Sequence, residues 1–360
     1  MPVKKLNILC SYGLVMKLRT MIQRNKSMML KSLDRSKPVE FQTIYLENTR
    51  YCNRSCSHCF VGSFDKTNDS EMDPNLIKNI LDFSHKNNAF SVIFAGLEPL
   101  AKFDTTVAPY ITDKKYQDMY FMIHTNGDFL NKEIADELDK ANNTIIQLSL
   151  EGTCNEKHDA SKGTGSYDKT IHAVELLKER SIPYGFFITC TSKNFKNVKE
   201  TVNYAINLGA TSLHIVGYKA IGPRANLDLM LSPQQEKERY RLKKDVKRDF
   251  PYLSLPSRGC NIGINKEGFF SYCPFLLQYT QSEQITPETS HNDMLKLFRE
   301  HGQEFYKTLN DTIDCPLIEN PRSVVEYAKQ NTSPFNDMLK KDSHIYNRAV
   351  EIAEEFKRIQ

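Results

Sequence analysis

Between residues 42 and 217 the chain repeats one pattern six times, and that repetition narrows what it can fold into. Each repeat is a short apolar run rich in Ile, Val, Phe or Tyr, then a polar loop, then a helical pattern. The runs are Gln42–Glu47, Phe90–Ala95, Met119–His124, Ile145–Leu150, Tyr184–Thr191 and Ser212–Gly217. Continuous apolar runs of this length suit strands buried on both faces. Asp73-Pro74 supplies a cap and a first-turn proline ahead of Leu76, Ile77, Ile80 and Leu81. Asn131 can cap a helix carrying Ile134 and Leu138. Ile171, Val174 and Leu177 share one helical face, as do Val198, Val202 and Ile206, with Gly209 as a stop. The segment from Ala101 to Lys114 is poorly marked as a helix. Alternating β and α elements imply a parallel sheet with right-handed crossovers. Six units can close into a partial barrel or lie as a doubly wound sheet, and periodicity does not choose.

The pattern changes after Gly217. Ser232-Pro233-Gln234-Gln235 opens a charged helix running to about Asp249, and Pro251 and Pro256 mark a linker. Residues 257–320 carry three cysteines, glycines and little helical period, as a small stapled domain would. The expected organisation is an N-terminal helical extension over 1–41, a β/α unit over 42–230, a linker helix over 231–256, a small domain over 257–320 and C-terminal helices over 321–360. A chain of 360 residues with 40% hydrophobic residues can support such a plan. Its net charge of +4 points to neither nucleic acid nor an anionic membrane. Lys4-Lys5 and the following Leu6–Met16 imitate a signal peptide only faintly, because polar residues interrupt the run. No run reaches the roughly 18 apolar residues of a membrane span. A cytoplasmic protein is the expectation.

The nine cysteines are 10, 52, 56, 59, 154, 190, 260, 273 and 315. An odd count with three in eight residues is unlike the disulfide framework of a short secreted chain. Cys52-Asn53-Arg54-Ser55-Cys56-Ser57-His58-Cys59 directly follows the first strand. Thiolates at i, i+4 and i+7 can hold three corners of a cubane, leaving one iron open to a ligand. Structural zinc needs four ligands, and His58 between two of the cysteines is a cramped fourth. In parallel β/α folds, chemistry collects at the carboxyl ends of strands, where this loop sits.

At these residues the chain resembles the radical S-adenosylmethionine (SAM) superfamily, whose signature has this spacing and an aromatic residue before the last cysteine. His58 stands there. Further resemblances follow in family order. Ala95-Gly96-Leu97-Glu98-Pro99 is similar to the family's Gly-Gly-Glu-Pro, which binds the methionyl amino group. His124-Thr125-Asn126-Gly127 ends the third run. Ser149-Leu150-Glu151-Gly152, ending the fourth, is similar to the Ser-Leu-Asp-Gly beside the ribose of SAM. Lys162 stands where many relatives have arginine, and a lysine offers a point charge rather than a two-bond clamp. Pro223-Arg224-Ala225 is similar to a family segment after strand six. The resemblance implies a partial (β/α)6 TIM-like barrel. It also implies a [4Fe–4S] cluster on Cys52, Cys56 and Cys59, and SAM contacts from His58, Gly96, Glu98, Pro99, Thr125, Asn126, Ser149, Glu151 and Lys162. In the family the cluster cleaves SAM to a 5′-deoxyadenosyl radical, which abstracts a hydrogen atom from substrate, and a flavodoxin or ferredoxin donates the electron.

Cys260, Cys273 and Cys315, with Gly268 five residues before Cys273, resemble the auxiliary-cluster domain of the SPASM/Twitch subgroup. Ile264–Tyr272 can form its hairpin, with Lys266-Glu267-Gly268 at the tip. The closing Cys-x2-Cys pair of that subgroup is reduced here to Cys315. One auxiliary [4Fe–4S] cluster with three cysteine ligands is expected, with a zinc site or buried thiols as the alternative. The subgroup implies modification of a peptide or protein by crosslinking, epimerisation or oxidation. The alternative is oxidation or epimerisation of a small molecule such as an aminocyclitol or sugar. Cys154 and Cys190 are loose candidates for a hydrogen donor. Arg54, Tyr218, Lys219 and Arg224 are candidates for the pocket wall.

Overall fold

The computed structural model describes residues 43–61, 71–89, 91–220, 225–249, 261–272, 274, 277 and 282–308. Six strands appear where the apolar runs predict them: β1 (Thr43–Thr49), β2 (Ser91–Gly96), β3 (Tyr120–Thr125), β4 (Thr144–Ser149), β5 (Tyr184–Cys190) and β6 (Leu213–Gly217). Each pairs in parallel with its sequence neighbour. The sheet order is β6-β5-β4-β3-β2-β1-β7-β8, so its two ends stay unjoined among the described residues and the barrel is partial.

The strands bury both faces differently. The outward residues of β5, Phe186, Ile188 and Cys190, are fully buried under helices, as are Ile44, Leu46, Phe94, Phe121, Ile146 and Leu148 of their neighbours. Inside, Tyr120, Met122 and Ile145 pack with Ile93 into a separate apolar plug nearer the amino ends. Above that plug the inward positions are polar or half-buried, and there the cavity lies.

The helices follow their predicted caps. Helix α1 (Pro74–Lys86) starts with Asp73 Oδ1 accepting the Asn75 N–H at 2.8 Å. The poorly marked segment after β2 forms no single helix. It breaks into a 3-10 turn (Pro99–Lys102), α2 (Phe103–Thr106), α3 (Ala108–Ile111) and a second 3-10 turn (Lys114–Tyr116). Pro109 lacks the N–H that a continuous helix would need there. Asn131 Oδ1 accepts the Ile134 N–H at 2.8 Å and starts α4 (Lys132–Lys140). Between β4 and β5 come two helices, α5 (Asn155–Lys162) and α6 (Ser166–Glu179), separated at Gly163 and Gly165, both with positive φ. Helix α7 (Phe195–Asn207) precedes β6. Helix α8 (Pro233–Asp249) opens on a reciprocal capping box: Gln235 N–H donates to Ser232 Oγ at 3.3 Å, and Ser232 N–H donates to Gln235 Oε1 at 2.9 Å.

Two findings concern the C-terminal third. The expected hairpin is present as β7 (Asn261–Ile264) and β8 (Phe270–Ser271), turning at Gly268 with φ +89°. Strand β7 also pairs in parallel with β1 over Thr43–Leu46, so the hairpin extends the barrel sheet. A helix that the sequence reading did not recognise, α9 (His291–Thr308), follows it. Ser290 Oγ accepts the Asp293 N–H at 3.2 Å at its start. Met294 and Phe298 are buried, and Phe298 meets Phe83 and Phe270 edge-on at 5.4 and 4.9 Å between ring centres. The N-terminal extension, residues 309–360, Cys10, Arg224 and the three cysteines 260, 273 and 315 lie outside the described residues.

Candidate active site

A cavity of about 360 Å³ opens at the carboxyl ends of the six strands. Cys52, Cys56 and Cys59 all contribute to its wall, so one loop brings the three thiols to one space. The loop is pinned from several sides. Glu98 N–H donates to Tyr51 O at 3.0 Å, and Ser57 N–H donates to Ser161 O on α5 at 2.9 Å. Arg54 forks onto Asp128, just past β3, with Nε to Oδ2 at 2.5 Å and Nη2 to Oδ1 at 2.8 Å. Its Nη1 donates to the carbonyls of Gly163 and Thr164 at 3.3 and 3.1 Å. A planar five-donor group is suited to binding three segments at once. Arg54 also lies on the cavity wall, with Tyr218 and Lys219.

The residues present fit an iron–sulfur cluster. Cys52 is buried, its Sγ accepting the Arg54 N–H at 3.4 Å and lying 4.0 Å from Asn126 Nδ2. N–H donors to sulfur are among the levers by which proteins tune such clusters. Burial, with Glu98 and the other two thiols adding to it, pushes the free Cys52 thiol up to about 12. A coordinated thiol is deprotonated by the metal it binds, which removes that obstacle. Among the described residues no three His, Cys, Asp or Glu groups converge on a single ion. All three thiols line one cavity, and a cubane takes its thiolates on separate irons.

Six of the nine predicted SAM-contact residues stand on the cavity wall: His58, Gly96, Thr125, Asn126, Ser149 and Lys162. Gly96 adopts φ +112°, and a Cβ there would sit 2.8 Å from Glu47 Cγ and 3.0 Å from Thr49 O. Only glycine lets the end of β2 pass so close to β1. Lys162 is 7% exposed. Burial opposes its charge, but Cys56, Glu151 and the other two thiols outweigh that and hold its ammonium above the ordinary lysine range.

The other three lie behind the wall. Glu98 is fully buried and caps the following 3-10 turn. Its Oε1 accepts Thr125 Oγ1–H at 2.6 Å and Leu100 N–H at 3.2 Å, and its Oε2 accepts Asn126 N–H at 2.8 Å. The carboxylate therefore braces the ends of β2 and β3 against each other. Pro99 is buried at the first position of that turn. Glu151 is 2% exposed, with Oε1 at 3.4 Å from His58 Nε2 and Oε2 accepting Thr189 N–H at 3.2 Å. Burial, with Lys162 and His158 adding to it, lowers His58 to about 3, so its imidazole is neutral. Cys190 is fully buried in the outer core, and neither it nor Cys154 is on the cavity wall.

Of the inward strand residues, the motifs include His124 but not Tyr45, Gln147, Phe187, Thr189 or Val216. Tyr45, His124, Gln147, Phe187, Thr189 and Val216 all line the cavity. Period-2 counting back from the motif residue Ser149 reaches Gln147. Pro274, directly after Cys273, lines the same cavity.

A family model for the radical SAM superfamily matches residues 46–205. The chain is similar to the AdoMet-dependent heme synthase of Methanosarcina barkeri, 28% identical over 171 residues, which cover 47% of this chain and 48% of that protein. It is also similar to the mycofactocin maturase MftC of Mycolicibacterium smegmatis, 28% identical over 194 residues, covering 54% and 48%. The chain thus spans about half the length of these two relatives. Among solved structures it is similar to Streptococcus suis SuiB bound to precursor peptide SuiA. The TM-score there is 0.60 at 16% identity, over 82% of this chain and 72% of that one, a likeness of fold.

Proposed function

We propose that this chain, whose residues 46–205 match a family model for the radical SAM superfamily, is a radical SAM iron–sulfur enzyme that modifies a peptide. Cys52, Cys56 and Cys59 hold a [4Fe–4S] cluster, and the wall residues around them receive SAM. Such a cluster supplies the electron that breaks the C5′–S bond of SAM, yielding methionine and a 5′-deoxyadenosyl radical that takes a hydrogen atom from substrate. The observation that carries the reading is that three cysteines of one loop reach one cavity together with Gly96, Thr125, Asn126 and Ser149. In this reading Arg54 and Asp128 hold the loop in place, and Glu98 aligns the two strand ends beneath it. Lys162 sets a fixed positive charge against the cysteines. The apolar plug below and the core outside keep water from the strand side.

The peptide substrate is supported by the similarity to a maturase and by the fold shared with a precursor-peptide-bound enzyme. Similarity to a heme synthase favours a second reading, action on a small molecule. A SPASM/Twitch-type auxiliary cluster on Cys260, Cys273 and Cys315 belongs to the proposal. Its support is the hairpin at Asn261–Ser271 and the presence of Pro274 on the cavity wall. The electron comes from a flavodoxin or ferredoxin. No described helix is long and apolar enough to cross a membrane.

The test is anaerobic purification and reconstitution, with iron and sulfide counted per chain and dithionite-driven 5′-deoxyadenosine measured. Two cubanes give about eight iron atoms, with about four lost on replacing Cys260, Cys273 and Cys315 together by alanine. About four atoms, all lost with Cys52, Cys56 and Cys59, would remove the auxiliary cluster. Zinc in place of iron, without SAM cleavage, would overturn the whole reading.

A further inference from the structure

The inner end of the cavity holds a polar group that the proposed SAM site leaves unused. Gln147 sits on β4 two residues before Ser149, one inward step deeper, and is on the cavity wall. It is 1% exposed. Its register partners are His124 on β3 and Gly185 on β5. Gly185 has no side chain, and a Cβ there would collide with Ser212 Oγ. Ser212 uses the vacated space to accept the Gln147 Nε2–H. That bond fixes the amide, and Gln147 Oε1 is left buried without a hydrogen-bond partner. Buried amide oxygens in folded proteins are nearly always paired, so an oriented and unpaired one on a cavity wall calls for an occupant.

The surroundings define what that occupant is. Tyr45, His124 and Phe187 bring rings to the same cavity. His124 meets Tyr45 edge-on at 6.1 Å between centres and leans on Phe187 at 5.5 Å. Phe187 is stacked on His214 at 5.7 Å and 17° between planes. The walls are flat and aromatic, suited to a planar guest. No formal charge stands among them: burial, with His214 adding to it, lowers His124 to about 3, and burial raises the Tyr45 hydroxyl above the ordinary tyrosine range. The cationic groups of the cavity lie beyond the strand ends, Arg54 and Lys219 on the loops after β1 and β6 and Lys162 at the end of α5.

We propose that Gln147 Oε1 is the fixed acceptor of a substrate subsite that takes an uncharged, planar group bearing an O–H or N–H donor, a phenol or a carboxamide. The subsite rests on the reading of this cavity as the place where substrate is held for hydrogen abstraction. It also sets which part of the substrate enters: a neutral ring or amide is accepted, while a carboxylate finds an acceptor facing it and no cation.

Calorimetric titration of the reconstituted full chain tests this with four probes. They are p-cresol, benzamide, 4-methylanisole, which lacks the donor, and 4-methylbenzoate, which adds a charge. At least one of the first two binds about tenfold or more tighter than the last two. Gln147→Leu removes that preference, and Gln147→Glu, which keeps an acceptor, retains a preference for the donor probes over 4-methylanisole. If Gln147→Leu does not fold, Ser212→Ala, which frees the amide to turn, takes its place and weakens the preference. Equal binding of p-cresol, benzamide and 4-methylanisole, or a preference that survives Gln147→Leu (or Ser212→Ala in its place) undiminished, overturns the proposal. 5′-Deoxyadenosine formation is measured on the same preparations. Loss of SAM cleavage with probe selectivity intact removes the radical SAM reading and leaves the subsite; the reverse removes the subsite alone.

Discussion

Arg54 shows how much of the site depends on single side chains. Its guanidinium spans the cysteine loop, Asp128 and the Gly163-Thr164 turn, and its side chain and that of Asp128 are 14% and 8% exposed. Arg54→Met should cost on the order of 2 kcal/mol, the scale of hydrogen bonds to a charged group. It should also lower iron retained per chain after desalting, because the loop loses its anchor. Arg54→Lys should restore little of either, since a point charge cannot replace the fork. Urea unfolding and iron assay check both. Glu47 makes a pH prediction. It is 2% exposed, and burial pushes its carboxyl up to about 7 from 4.5, against the pull of Arg50. A raised carboxyl contributes fully below about pH 4.5, and its contribution is lost as the pH rises through about 7. Glu47→Gln should therefore come closest to the parent near pH 4 and exceed it at pH 8 by up to about 3 kcal/mol. A constant difference across that range, in thermal melts at both pH values, would contradict the burial argument.

At the scale of elements, the ends of β2 and β3 are held by backbone geometry as much as by side chains. Gly96→Ala places a Cβ against β1 at φ +112°. Strain of that kind costs about 1–3 kcal/mol, and it should appear as a lower urea midpoint with an unchanged slope. Helix α9 owes its place to two buried residues one turn apart, Met294 and Phe298. Phe298→Ala leaves a hole between Phe83 and Phe270 and should destabilise by about 3–5 kcal/mol. The same variant should leave the iron bound to Cys52, Cys56 and Cys59 unchanged in whatever fraction stays folded, since α9 contributes nothing to the described cavity wall.

For the whole molecule, the described elements of the C-terminal third, β7, β8 and α9, are built onto the barrel. Strand β7 continues the sheet beside β1, and α9 packs on α1 through Phe83. A chain cut after Asp249 would expose the β1 edge along Thr43–Leu46 together with the apolar face beneath α9. Such edges promote association. The truncated chain should elute as aggregate or unfold well below the full chain, and a monomeric truncation with the parent's melting temperature would count against this view. The cavity draws residues from all six parallel strands or the loops directly after them. Its shape therefore depends on the complete barrel.

The positions of the six parallel strands, the helix starts at Asp73, Asn131 and Ser232, and the cysteine loop after β1 were legible in the sequence because they are local. Apolar runs, cap residues and ligand spacing are properties of short windows. Helix α9 was local too, with Ser290 before Met294 and Phe298, but the cysteines on either side drew the reading toward a stapled domain. Other features needed the fold. Glu98 stands in its motif, yet only packing shows that its carboxylate braces β2 and β3 from behind the cavity. Arg54 and Asp128 are 74 residues apart, and their pairing follows from where β1 and β3 end. Gln147 and His124 are 23 residues apart, and only the β3–β4 register sets them side by side on one inward face. The sequence alone determined which elements form and which residues can hold a cluster, since periodicity and ligand chemistry act over a few residues. The tertiary structure decided which of those residues share a cavity, because that depends on register and burial between segments far apart in the chain.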